Sequence, residues 1–308
     1  MRRVILPPAV GPGDRVGVAA LSGPVDPERL ARGLAALRRL GFEPVVADNV
    51  ASRQGLFAGS DAERLIAFHR LAARTDIAAI FFARGGHGLL RVLPGIDWEL
   101  LNRRPRAYVG YSDLTPFLLG VVARLGLVAF HGPMVAADLA REPSPAEEAS
   151  LLSALAGRYP ARLPFASFVR SGKARGPLLG GCLSLLTATL GTPYFPDLTG
   201  AILFLEDVGE PPYRIDRMLT HLRLSGNLDR VQGMIVGQLV GPAAGEEAEA
   251  GGAGAALWPA LVGESLAGSS WPIAWGLPSG HGSPNHTLPL GLLARFGAET
   301  NDLLLGAG

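Results

Sequence analysis

Cysteine is nearly missing: Cys182 is the single one in 308 residues. An intrachain disulfide and a cysteine-based zinc site are thereby excluded, and a reducing compartment suits the chain. Its six histidines show no H-E-x-x-H or comparable ligand spacing, so no metal is expected. Net charge is also nearly missing, at +1 from 28 Lys+Arg against 27 Asp+Glu. There is no basic stripe, and a nucleic-acid partner is not expected. Arg38-Arg39 fall on the solvated face of an amphipathic helix, and Arg103-Arg104 read as a loop. No apolar run reaches the ~18 residues of a membrane span. The short run ending at Leu6 is cut by Pro7 and Pro8, too early for a signal peptide. The expectation is a soluble cytoplasmic protein with no membrane partner.

What is present is apolar and finely punctuated. Hydrophobic residues are 48% and charged residues 18%, enough for a full core and too little charge for disorder. The length favours two domains. Glycine and proline, 41 and 25 residues, are dispersed between apolar segments, as tight turns joining short elements require.

The first half alternates strand and helix signals. Val16–Ala20, Pro44–Ala47, Ile77–Ala83, Ala107–Tyr111 and Leu127–Phe130 read as strands. Asp26 caps a helix with Pro27 at its first position, and Gly41 stops it. Ser60 and Glu63 make a capping box ahead of a second helix. A third runs from Asp113 to about Arg124. This alternation implies βαβ units and a parallel sheet, with ligand sites at the carboxyl ends of its strands. Residues 1–140 are read as an N-terminal α/β domain. Residues 141–175, with a capping box at Ser144 and Glu147, are read as the connection. Residues 176–308 are read as a smaller C-terminal α/β domain. Its signals are a helix at 180–190, the strand Ala201–Leu205, a helix around Ile215–Leu224, the strands Met234–Leu239 and Ile273–Trp275, and a strand pair in Leu288–Phe296. Pro242–Ala256, almost without bulky side chains, reads as a mobile surface loop.

Four segments carry chemistry. In Gly110-Tyr111-Ser112-Asp113 a strand runs into a serine and a helix follows. That is the setting of a nucleophile elbow, with free N–H groups and a positive dipole end behind the hydroxyl. Ser112 as the helix N-cap explains the same residues, and taken alone is the simpler account. Gly85-Gly86-His87-Gly88 also follows a buried strand and can present backbone N–H groups as an oxyanion hole or carboxylate nest; a plain turn is the bland reading. Glu206-Asp207 closes an apolar strand, so both acids are expected in the site region. The alternative is a solvated end paired, like Glu210, with Arg214 and Arg217. His281, between Gly280 and Gly282 in a turn-rich loop, has the best catalytic claim among the histidines. His69 and His221 lie within helices, and His131 could line the site. Serine, acid and histidine in this order are one known solution to the triad problem.

In combination these blocks resemble the LD-carboxypeptidases, cytoplasmic serine peptidases of murein recycling. The resemblance runs over nearly the whole chain. It rests on Gly13-Asp14-Arg15-Val16, Ser22-Gly23-Pro24, Phe57-Ala58-Gly59, Ala83-Arg84-Gly85-Gly86, Gly110-Tyr111-Ser112-Asp113, His131-Gly132-Pro133-Met134, Leu205-Glu206-Asp207 and Gly280-His281. It implies a triad of Ser112, Glu206 and His281, and an oxyanion hole from the N–H groups of Gly86 and Asp113. It also implies two α/β domains with the active site between them: the N-terminal one a mostly parallel sheet of flavodoxin- or amidotransferase-like kind, the C-terminal one smaller. No cofactor is implied. The implied partners are a small murein peptide or muropeptide substrate, cut to release its terminal D-alanine, and a second copy in a homodimer. Arg84 and Gly85 are candidates for the substrate carboxylate. His87, Leu179 and Cys182 depart from the family pattern, in which tyrosine stands at 87 and the later block reads Trp-Gly-Gly-Asn.

Two other functions fit the sequence. A microcin-immunity peptidase of the same family, cleaving peptidyl or aminoacyl nucleotides, would carry aromatic loop residues to stack on a base. The 242–256 loop has none, though Trp258 and Trp271 are potential platforms. A non-catalytic peptide-binding protein would keep the cleft without the triad.

Overall fold

The computed structural model describes residues 4–159, 161–242 and 257–306. Among these the chain forms two compact units. One holds residues up to 158 together with 284–291; the other holds 159–283 and the residues from 292 onward.

The first unit is built on five parallel strands: β1 (Arg15–Ala19), β2 (Glu43–Val46), β3 (Ala79–Phe82), β4 (Ala107–Gly110) and β5 (Ala129–His131). They lie in the order 2-1-3-4-5, the doubly wound order whose switch point falls between β1 and β3. β3 and β4 are buried throughout, which is why they read as unbroken apolar runs. The covering helices begin where local chemistry starts them. α1 (Pro27–Arg39) is capped by Asp26, whose side chain accepts the Arg29 N–H at 2.8 Å. α2 (Asp61–Ala73) carries the full Ser60–Glu63 capping box. α3 (Leu89–Val92) and α4 (Trp98–Arg103) follow β3, and α5 (Thr115–Gly120) follows β4. The helix expected from Asp113 to Arg124 is thus in pieces: a 3-10 turn at Ser112–Leu114, then α5, then a wider π turn to Leu125. α6 (Pro145–Leu155) opens on the Ser144–Glu147 capping box and belongs to this unit.

The second unit contains β6 (Ala161–Pro164), β7 (Ser167–Arg170), β8 (Ala174–Cys182), α7 (Leu183–Thr187), β9 (Ile202–Val208), α8 (Pro212–Leu224), β10 (Gly233–Val240), α9 (Leu257–Ser265) and β11 (Ile273–Trp275). The chain then contributes β12 (Leu288–Leu290) to the first sheet, antiparallel to β5, and closes with β13 (Leu293–Gly297) and β14 (Thr300–Leu305). The strand pair expected in Leu288–Phe296 is therefore split between two sheets at the Gly291 turn (φ 90°). Apolar alternation marks strands but does not say which sheet receives them. The segment 141–175 holds α6, β6, β7 and the start of β8. Of the 242–256 loop, residues 243–256 lie outside the described residues.

The second sheet runs β6-β14-β13-β8-β9-β10-β11-β7, parallel from β8 to β11 and antiparallel elsewhere. Its two edge strands, β6 and β7, are consecutive in sequence and separated only by Phe165 and Ala166. The Phe165 N–H donates to Asn301 O on β14 at 2.8 Å, and the Ala166 N–H to Trp275 O on β11 at 2.9 Å. The sheet therefore curls until its edges almost meet, which leaves little open edge. Phe165, Phe168 and Phe296 pack together inside the curl, with centroids 5.0–6.1 Å apart.

Candidate active site

Ser112, separated from β4 by Tyr111 alone, opens the 3-10 turn with φ 61°, one of two non-glycine residues in the left-handed region among those described. A β-carbon there costs on the order of 1–3 kcal/mol, and such strain is typical of a nucleophile elbow. Ser112 does not cap α5: Leu114 holds the N-cap position, without a side-chain bond. The cap reading of the sequence is corrected by this geometry. The Asp113 N–H lies in the first turn and has no intrahelical acceptor. The buried Asp113 carboxylate accepts the Leu89 N–H at 2.9 Å, so the elbow is tied to the end of the 84–88 loop.

That loop is pressed against the elbow. A β-carbon built on Gly85 would fall 2.9 Å from Ser112 Cβ, 3.1 Å from Ser112 Oγ and 3.4 Å from the Asp113 nitrogen. Only glycine brings backbone this close. The Gly23 N–H donates to Gly85 O at 3.0 Å, joining the loops after β1 and β3 at the switch point. Gly86 has φ 101°, which needs glycine. Arg84 is exposed and turns back on its own surroundings, donating from Nη1 to Pro24 O at 2.9 Å. Behind the loop lies Arg64, fully buried, which donates to Leu21 O and, at 2.9 Å, to Gly88 O. In the sequence Arg64 belongs to the Glu63-Arg64-Leu65 block that resembles the family, but no role is assigned to it because it sits amid ordinary helix positions; a capping-box helix with an arginine at an inward position was the available signal. His131 is fully buried on β5, its ring 5.3 Å from that of Tyr111.

In the second unit, His281 Nδ1 lies 2.6 Å from Glu206 Oε2. Glu206 is fully buried at the end of β9, and the His281 side chain is 14% exposed. The pairing depends on Gly280, whose φ is 134° and whose added β-carbon would sit 3.0 Å from the Glu206 carboxylate. Gln238 holds the same loop to β10: its Oε1 accepts the Gly282 N–H at 2.8 Å, and its backbone N–H donates to Ser279 O at 3.2 Å. Gln238 was not singled out from sequence, although it is a polar residue near the carboxyl end of an apolar strand.

The two acids of Glu206-Asp207 part company, as successive residues of a strand must. Asp207 accepts the Ser184 N–H at 2.7 Å and so caps α7 from outside that helix. Burial, and next the charge of Glu206, push Asp207 up to about 6. Both acids are buried, so the alternative of a solvated strand end is corrected; Glu206 meets the histidine, and Asp207 serves the α7 cap. Cys182 is buried against this cap, 3.2 Å from Ser184 Oγ and 3.6 Å from Asp207 Oδ1, and burial pushes its thiol up. Glu210 pairs with Arg214 at 3.4 Å.

Two family models match the chain. Residues 16–132 match the LD-carboxypeptidase N-terminal domain, and residues 175–296 match the LD-carboxypeptidase C-terminal domain. The chain belongs to the LD-carboxypeptidase family. A putative carboxypeptidase of Streptomyces coelicolor is 38% identical over 99% of this chain and 97% of its own. A probable murein peptide carboxypeptidase of Bacillus subtilis is 34% identical over 98% and 94%. Among solved structures, the microcin C7 self-immunity protein MccF bound to glutamyl sulfamoyl guanosine superposes with a TM-score of 0.88 at 25% identity, covering 98% of both chains. The protein is thus a hydrolase of the carboxypeptidase type with the two-unit α/β fold of its family. No group of three or more His, Cys, Asp or Glu suited to a metal occurs among the described residues. No described helix is long and apolar enough to cross a membrane.

Proposed function

We propose that this carboxypeptidase is serine-type, with Ser112 as nucleophile, His281 as general base and Glu206 orienting the imidazole. The observation that carries the reading is the 2.6 Å contact between His281 Nδ1 and a fully buried Glu206. A buried carboxylate at Nδ1 fixes the ring so that Nε2 takes up the proton, and it stabilises the imidazolium that forms. The strained, helix-backed Ser112 supports the nucleophile assignment.

The substrate is a murein peptide, as the name of the Bacillus subtilis relative suggests, and within that class a tetrapeptide or a muropeptide carrying one, as the family resemblance implies. Ser112 Oγ attacks the carbonyl before the terminal D-alanine while His281 accepts its proton. The N–H groups of Gly86 and Asp113 bind the oxyanion; losing one such donor costs about 10²–10³ in rate. His281 then protonates the departing D-alanine amine, and water attacks the acyl-enzyme. Arg84 keeps guanidinium N–H donors beyond the one given to Pro24, and together with Gly85 it receives the terminal carboxylate. The enzyme works in the cytoplasm in peptidoglycan recycling, as a homodimer. The family resemblance supports location and assembly, and sedimentation of the purified chain tests the latter.

The second reading is hydrolysis of a peptidyl or aminoacyl nucleotide, favoured by the superposition on the microcin C7 self-immunity protein. Mass spectrometry decides between them. Wild type is expected to remove one alanine from murein tetrapeptide, and Ser112→Ala is expected to remove none. Cleavage only of an aminoacyl-nucleotide conjugate selects the second reading. Equal cleavage of tetrapeptide by both proteins refutes the triad.

A further inference from the structure

The outer face of the second unit's sheet carries a row of arginines that neither the fold nor the proposed triad uses. β6, β14, β13 and β8 lie side by side and antiparallel, and one register row across them reads Arg162, Leu304, Arg295, Arg175. Directly opposed residues of an antiparallel pair share a face, with Cα atoms about 4.5–5.5 Å apart. All three arginines are exposed. The alternate positions Leu163, Ala174, Ala294, Phe296, Leu303 and Leu305 are buried, so the core is built from the other face.

Two of the nearby cations are matched. Arg162 pairs with Asp302 at 3.2 Å, and Lys173 pairs with Glu299 at 2.5 Å. Arg295 and Arg175 face each other in register, and neither has a carboxylate within ion-pair distance among the described residues. Like charges directly opposed across a ladder repel, and this pair sits in that arrangement with no internal relief. A groove of about 310 Å³ opens beside Arg295, lined also by Arg162, Lys173, Phe296, Glu299 and Asp302; Arg175 stands outside its lining, on the far side of Arg295 in the register row.

We propose that Arg175 and Arg295, flanked by Arg162 and Lys173, form a binding site for a phosphate-type oxyanion, either inorganic phosphate or a phosphomonoester. Two opposed guanidinium forks at strand-to-strand spacing can both donate to one tetrahedral anion. The four cations exceed the two carboxylates by two charges, which a dianion matches and a single carboxylate does not. The row belongs wholly to the second unit, and none of its members is assigned a role in the reaction.

Isothermal titration of the full chain with inorganic phosphate, and separately with glycerol 2-phosphate, tests this at an ionic strength held constant with chloride. Saturable binding is expected for wild type, weakened at least tenfold in Arg295→Gln and in Arg175→Gln. Tighter binding of the ester points to an esterified ligand, and tighter binding of phosphate to the free ion. Both single variants should melt at or above wild type in phosphate-free, low-salt buffer, because each removes a like-charge contact. Hydrolysis should be unchanged in both. No heat beyond the chloride control, equal binding by acetate, or undiminished binding in the double variant overturns the proposal. So does a variant melting several degrees below wild type, since the arginines would then serve the fold.

Discussion

Gly85→Ala is the sharpest perturbation of the elbow, because it adds one methyl group and changes no charge. The new carbon would lie 2.9 Å from Ser112 Cβ and 3.1 Å from Ser112 Oγ. Carbon–carbon contacts are optimal at about 3.5–4.0 Å, so the two groups must separate by about 0.6–1.1 Å. Rotating the Ser112 hydroxyl relieves the second contact but not the first. The Ser112 backbone has little room to yield, being held at φ 61° as the first residue of the 3-10 turn, with only Tyr111 between it and β4. The 84–86 loop must therefore retreat, or the serine must shift. Either displaces the hydroxyl from the proposed oxyanion donors by roughly an ångström, which costs about 10²-fold in rate. Overpacking adds about 1–3 kcal/mol of destabilisation. The assay is D-alanine release from murein tetrapeptide, read as kcat and KM separately, with a thermal melt alongside. The expectation is a loss in kcat of about 10² with a folded protein. Gly11→Ala is the control: its added carbon meets nothing within 4 Å, so activity should stay at the wild-type level. Wild-type kcat in Gly85→Ala would refute the claim that this loop packs on the reacting serine.

Glu206→Gln keeps the shape beside His281 but removes the charge that favours the imidazolium; kcat should fall by about 10⁴, and His281→Ala in the same background should add little. Ser112→Gly should be more stable than Ser112→Ala by about 1 kcal/mol in denaturant melts, since glycine relieves the left-handed backbone; equal stability would mean that the elbow is not strained. Asp207, raised from 3.8 to about 6, binds more protons folded than unfolded between those values. Its contribution is fully present below about pH 4 and is lost as pH rises through about 6, by on the order of 2–3 kcal/mol. Asp207→Asn lacks that dependence, so its stability relative to wild type should improve between pH 4 and pH 7 in urea titrations; an unchanged difference would contradict the raised value.

What was legible before folding was local. Asp26 with Pro27, Ser60 with Glu63, and Ser144 with Glu147 each place a helix start, because a cap is satisfied within four residues of itself. Strands β3 and β4 were readable because parallel strands buried on both faces must be apolar throughout. The residues proposed for the reaction stood out as singular local patterns: a serine between β4 and a helix, and a histidine between glycines.

The rest depended on neighbours distant in the chain. Whether Ser112 caps the following helix was undecidable from its own segment, since serine suits a cap and an elbow alike; the folded backbone puts it at φ 61° against Gly85, with Leu114 at the N-cap of α5. Glu206 and Asp207 are equivalent in sequence, and only the strand's pleat sends one to His281 and the other to α7. β6, β7 and β14 escaped notice because short, half-exposed strands carry weak periodicity and gain their stability from partners. β12 joined the first sheet because β5 offered it an edge there. Sequence by itself determined where elements begin and which residues could do chemistry, through interactions spanning a few residues. Tertiary structure decided which sheet each late strand joined and which acid met the histidine, because pairing and burial are properties of surfaces that exist only after the chain has folded.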